Sequence, residues 1–128
     1  MILEDIEYEV KIETPLYSTE DPKNVKGCLA NIFPDVYWKG TNDSIKGTTD
    51  DLQRFKTILE NMLIRDTARS FLKRKSMNNT CRFTISKQAS CNTKINFSET
   101  KQPLGGIQVE IGCEQMNELI EALTRIED

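Results

Sequence analysis

Apolar and polar residues alternate over Ile6 to Thr14, where Ile6, Tyr8, Val10 and Ile12 interleave with Glu7, Glu9, Lys11 and Glu13. A period of two belongs to a strand with one buried face, and here the other face is largely acidic. The period then changes. Asp21 can cap a helix and Pro22 can take its first position, where a missing N–H needs no partner. Val25, Cys28, Leu29 and Ile32 follow at helical spacing, and the helix should end by Phe33-Pro34. A second strand is predicted over Val36 to Lys39. It runs into the polar stretch Gly40 to Thr49, where Ile45 marks a short return strand after a turn at Asn42-Asp43.

From Asp50 to Lys75 the pattern is helical, but its apolar face moves. Leu52, Phe55, Ile58, Leu59 and Met62 share one face, whereas Ile64, Ala68 and Phe71 fall nearly opposite at ~100° per residue. A kink, or two helices meeting near Leu63, reconciles them. Beyond a polar loop at Ser76 to Asn79, the sets Cys81, Phe83, Ile85 and Ala89, Cys91, Ile95, Phe97 each read as alternating, with Lys87-Gln88 between them, which predicts a tight hairpin. After a turn at Pro103 to Gly106 come a strand through Ile107, Val109 and Ile111 and a closing amphipathic helix through Met116, Leu119, Ile120 and Leu123. The expected fold is α+β: a two-layer α/β sandwich, with a mixed, mostly antiparallel sheet and helices on one face.

A chain of 128 residues with 38% apolar and 29% charged positions has room for one core, so residues 1–128 are taken as a single domain. No apolar run approaches the ~20 residues that span a bilayer, and Glu4 and Asp5 stand where an export signal needs positive charge. A cytoplasmic, membrane-free protein is expected. The absence of histidine removes the commonest general acid/base and metal ligand. No catalytic residue, metal site or cofactor is therefore assigned, and the chain is read as a non-enzyme. Cys28, Cys81, Cys91 and Cys113 form no C-x-x-C pair. They are expected as small buried thiols, and no disulfide is predicted, since one would need an oxidising compartment or a hyperthermophile's cytosol.

Charge changes the picture more than composition does. Residues 1–51 carry five Lys/Arg against eleven Asp/Glu, a charge of −6; residues 52–101 carry eleven against three, +8; residues 102–128 carry one against six, −5. A basic block inside an acidic chain either faces an anionic partner or neutralises its acidic neighbours in the fold. Arg65, Arg69 and Lys73 recur every four residues on one helix face, and Arg54 falls within ~20° of Arg65 on a continuous helix. On the hairpin, Arg82, Thr84, Ser86, Ser90, Asn92, Lys94 and Asn96 should point outward, a surface suited to sugar and phosphate but without an outward aromatic ring.

Several stretches taken together carry a resemblance: Thr14-Pro15-Leu16-Tyr17-Ser18-Thr19-Glu20-Asp21-Pro22, Asn31-Ile32-Phe33-Pro34-Asp35, Arg65-Asp66-Thr67-Ala68-Arg69, Ser86-Lys87-Gln88-Ala89-Ser90, Asn96-Phe97 and Pro103-Leu104-Gly105-Gly106-Ile107. In this order and spacing the chain resembles a family of short uncharacterised archaeal proteins classed with predicted RNA-binding domains. The resemblance implies the two-layer fold of the ribosomal protein L-five type and places the family's Lys-Gln-Ala motif on Lys87, Gln88 and Ala89 and its second-helix arginine on Arg69. It implies RNA as partner and supplies no catalytic residue. The expected nucleic-acid-binding set is therefore Arg54, Arg65, Arg69, Lys73, Arg82, Lys87, Gln88 and Lys94. The alternative is a protein-interaction or self-assembling, dimeric domain that buries the same face without nucleic acid.

Overall fold

The computed structural model describes residues 2–40, 43–99 and 105–125. After a short turn of 3₁₀ helix at Leu3–Asp5, the elements run β1 (Glu9–Pro15), α1 (Pro22–Ile32), β2 (Tyr37–Gly40), β3 (Ser44–Thr49), α2 (Gln53–Asn61), α3 (Arg65–Arg74), β4 (Ser76–Met77), β5 (Thr80–Ile85), α4 (Lys87–Cys91), β6 (Phe97–Ser98), β7 (Ile107–Gly112) and α5 (Met116–Thr124). The strands form one sheet in the order β2-β3-β1-β7-β5-β4, with β6 pairing β5 beside β4. Every pairing among the described residues is antiparallel, so the mixed sheet of the sequence reading narrows to an antiparallel one.

Alternation sorts the two faces of the sheet. Val10, Ile12 and Thr14 of β1, Ile45, Gly47 and Thr49 of β3, Cys81, Phe83 and Ile85 of β5, and Ile107, Val109 and Ile111 of β7 are buried against the helices. The residues between them face away from that layer. The chain's five phenylalanines meet in the helix-side core, with neighbouring ring centroids 4.6 to 6.4 Å apart. Gly47 is required by close approach: a Cβ there would stand 2.3 Å from Val36 Cγ1 and 3.0 Å from the Trp38 ring, so a side chain would lift β2 off the core.

Local signals account for most boundaries. Asp21 accepts a hydrogen bond from Lys23 N at 2.9 Å and Pro22 opens α1, as its sequence predicts. The shifting apolar face resolves at Leu63, whose φ of 58° ends α2 and lets α3 start on a new face. Tyr8 lies just ahead of β1 and its phenol oxygen accepts from Leu52 N at 2.8 Å, taking a donor exposed by the start of α2. Burial raises this phenol's pKa, partly offset by that backbone bond.

Three expectations are corrected. Ile6 is buried but precedes β1, which begins at Glu9. The stretch through Thr49 forms a six-residue strand, because Gly47 and Thr49 serve as its inward positions where no apolar residue signals them. The hairpin over 81–97 is instead strand, helix and strand. Ser86 caps α4 by accepting from Ala89 N at 3.1 Å, Ser90 is buried, and only Phe97 and Ser98 return to the sheet. At the 103–106 turn, Gly105 and Gly106 have positive φ, while Pro103 and Leu104 lie outside the described residues, as does Asn42 of the earlier turn.

The cysteine reading is corrected in the same region. Cys28 of α1 and Cys91 of α4 form a disulfide across 63 residues of sequence. Spacing along the chain carries no information about this approach, which follows from the docking of α4 on α1. Cys81 and Cys113 are buried free thiols, as expected, and burial raises the pKa of both.

Candidate functional site

The cations of the central block do not form one positive surface. On α3, Arg69 donates from Nε to Thr124 Oγ1 at 3.1 Å and from Nη2 to the Thr124 carbonyl at 2.9 Å, and Arg65 donates to the Arg125 carbonyl at 3.2 Å. These oxygens lie at the C-terminal end of α5, where carbonyls lack helical partners and the helix dipole is negative. Glu121 of α5 adds a carboxylate 3.8 Å from Arg69 and 3.2 Å from Lys73. The four-residue spacing thus makes a cap that fastens α3 to α5.

The other predicted residues separate. Arg82 bonds Glu110 directly across the β5–β7 pairing at 2.5 Å. Lys87 is only 4% exposed: its ammonium donates to the Pro15 carbonyl at 2.7 Å and to both oxygens of Glu20 at 3.2 and 3.3 Å. Its ammonium is thus buried, where the sequence reading placed a surface ligand. Arg54, Gln88 and Lys94 are exposed, and neither Arg54 nor Lys94 has an acid partner among the described residues. Arg74 and Lys75 share Glu99 at 3.0 and 3.4 Å, and hydrogen bonds from the two cations lower that carboxyl's pKa. Acids of both flanking segments, Glu20, Glu110 and Glu121, therefore pair with Lys87, Arg82, Arg69 and Lys73 of the block.

A different surface is left open. The sheet face away from the helices borders a cleft of about 840 Å³. Strand register aligns its side chains into two rungs. One runs Tyr37, Thr48, Lys11, Glu110, Arg82; the next runs Lys39, Lys46, Glu13, Gln108, Thr84, Ser98. Glu13 and Lys46 are 3.7 Å apart, whereas Lys11 and Lys39 have no acid within ion-pair distance among the described residues. Tyr37 is 81% exposed on the edge strand and Met77 74% exposed on the opposite margin. The outward ring that the hairpin lacked is thus present on β2. Sequence held one signal for it: in a strand through Val36 to Lys39, Tyr37 and Lys39 share the face opposite Trp38.

Chemically this face offers hydroxyls, an amide, paired ions and one ring, the groups of a binding surface. Among the described residues, no group of three or more Cys, Asp or Glu stands where it could hold a metal ion, and no helix is long and apolar enough to cross a membrane.

No family model matches the chain. Among curated proteins it is 36% identical over 118 residues to a UPF0201 protein of Methanothermobacter thermautotrophicus, covering 90% of this chain and 89% of that one. Among solved structures, the crystal structure of a UPF0201 protein from Methanococcus jannaschii superposes with a TM-score of 0.84 at 29% identity, covering 91% of this chain and 98% of that one. A DUF54 protein from Methanothermobacter thermautotrophicus shares the fold, with a TM-score of 0.65 at 16% identity over 91% of this chain and 95% of that one.

Proposed function

This chain belongs to the UPF0201 family of archaeal proteins, and from the charge register on its open sheet face we propose that it is a non-catalytic interaction module that pairs with a second copy of itself. One observation carries the reading: the two rungs complement each other. A two-fold axis parallel to the rungs and midway between them lays each rung on the other copy's second rung. Tyr37 then meets the second copy's Lys39, Lys11 meets its Glu13, Glu110 meets its Gln108, Thr48 meets its Lys46 and Arg82 meets its Thr84. No like charges face each other, and the ring meets a cation.

Magnitude sets what kind of pair this is. The six strands, from two to seven residues long at about 3.3 Å per residue and about 4.8 Å apart, make a face of roughly 490 Å², so two faces bury about 1,000 Å², the lower limit of a specific interface. The pair is weak, wet and concentration-dependent. Light scattering tests it: the mass should rise from 14.7 kDa toward twice that value with concentration, less steeply at high salt. A monomer at every concentration overturns the reading.

RNA is the second reading, favoured by one corner of the same face. Tyr37 with Lys39, Lys46 and Lys11 offers a ring for stacking beside cations for phosphate, and the resemblance to predicted RNA-binding domains of the ribosomal L-five type supports it. Exposed Arg54 on α2, and Gln88 and Lys94 in and just after α4, belong to the helix side and do not join this corner, and Arg65, Arg69, Lys73, Arg82 and Lys87 already have partners within the chain. A salt-titrated assay with a mixed pool of structured and single-stranded RNA decides it. Binding with a slope of about 0.7 per phosphate contact on a single strand supports RNA, and absence of binding at low salt removes it.

A further inference from the structure

We propose that the Cys28–Cys91 disulfide is a redox-sensitive latch that holds α4, and with it the segment around residues 15–20, against the body of the protein. Five residues cannot sustain a helix alone, so the position of α4 depends on its ties. Besides the disulfide these include the buried Ser90, Asn31 Nδ2 donating to the Ser90 carbonyl at 3.0 Å and the buried ammonium of Lys87 donating to Pro15 and Glu20. The last tie works in both directions. Lys87 stays buried only while Pro15 and Glu20 surround it, and that segment keeps its shape only while Lys87 is present. Glu20 also accepts from Tyr17 N at 3.0 Å, and Leu16 N donates to Asp43 O at 2.8 Å, beside β3. Release of α4 therefore loosens the segment on which one end of the β1–β3 pairing rests.

Access separates this pair from the other cysteines. Cys91 is exposed and Cys28 half-buried, whereas Cys81 and Cys113 are buried thiols whose raised pKa keeps them protonated and unreactive. A dithiol reductant completes the chemistry. Its thiolate attacks Cys91 Sγ, the S–S bond breaks, and Cys28 leaves as a thiolate that takes a proton. The reductant's second sulfur then displaces Cys91, giving two protein thiols and one oxidised reductant, a two-electron exchange.

Trypsin reports the state of the latch, because the bond after Lys87 is shielded when its side chain is buried. Native protein treated with dithiothreitol should be cut after Lys87 at least about tenfold faster than oxidised protein, with amide exchange over residues 87–91 accelerating alongside. Cleavage after Arg69 and Lys73, in α3 and away from that segment, should not change, which separates local release from global unfolding. Cys28→Ser should behave like the reduced protein without reductant, and if this variant does not fold, the comparison of oxidised and reduced wild type still decides. Equal cleavage and exchange in the two states, or four free thiols in unreduced denatured protein, would overturn the proposal.

Discussion

Two groups of cations teach opposite lessons. Arg65, Arg69 and Lys73 lie in the most basic third of the chain at ideal helical spacing, and the fold uses them to cap α5. Lys11 and Lys39 come from the acidic first third, yet stand on the open sheet face with no acid of their own chain in ion-pair range among the described residues. The net charge of a segment therefore does not locate a binding surface. What matters is the charge that remains after the fold has satisfied its helix ends and buried groups.

The sharpest break in that comparison is at Lys87. Lys87→Met leaves Glu20, whose side chain is 12% exposed, without its counter-ion, and should cost about 3–5 kcal/mol in chemical denaturation. Next comes Arg69→Ala, which removes two charge-assisted bonds from the end of α5 and should cost about 2 kcal/mol, while Lys73→Ala, whose ion pair is half exposed, should stay within ~0.5 kcal/mol. If Arg69→Ala matched wild type, the capping account of the helix row would be wrong. On the open face the order reverses. Lys11→Ala should leave stability within ~0.5 kcal/mol but raise the dimer dissociation constant roughly fivefold, about 1 kcal/mol.

The smallest effect is alkaline. Tyr8 holds its proton more tightly when folded, because burial raises its pKa above the ordinary 10.0. Stability is accordingly constant below that value and falls as pH rises through the folded pKa, since the native state then binds more protons than the unfolded one. Denaturation midpoints followed up the alkaline range should show this decline, and Tyr8→Phe should reduce it.

Periodicity made β1, α1, the α2–α3 break, β7 and α5 legible, because each has apolar residues enough to set a period. It failed at α4, where Ala89 and Cys91 fit a strand as well as a helix and the Ser86 cap looks like a strand residue. At β3, Gly47 and Thr49 take inward places without an apolar signal. The candidate site was harder still. Helical spacing showed that Arg65, Arg69 and Lys73 share a face, but the partners on that face come from α5 and its C-cap, about fifty to sixty residues away. The rungs depend on register between strands far apart in sequence, and so does the approach of Cys28 to Cys91.

Charge reversal on the open face tests the central claim most directly. In the proposed pair Lys11 of each copy faces the second copy's Glu13, so Lys11→Glu alone and Glu13→Lys alone each set like charges against one another. Measured by sedimentation at low salt, each single variant should be monomeric at concentrations where wild type dimerises, and the double variant should regain the dimer. A double variant as monomeric as either single one, or single variants that dimerise like wild type, would contradict the account.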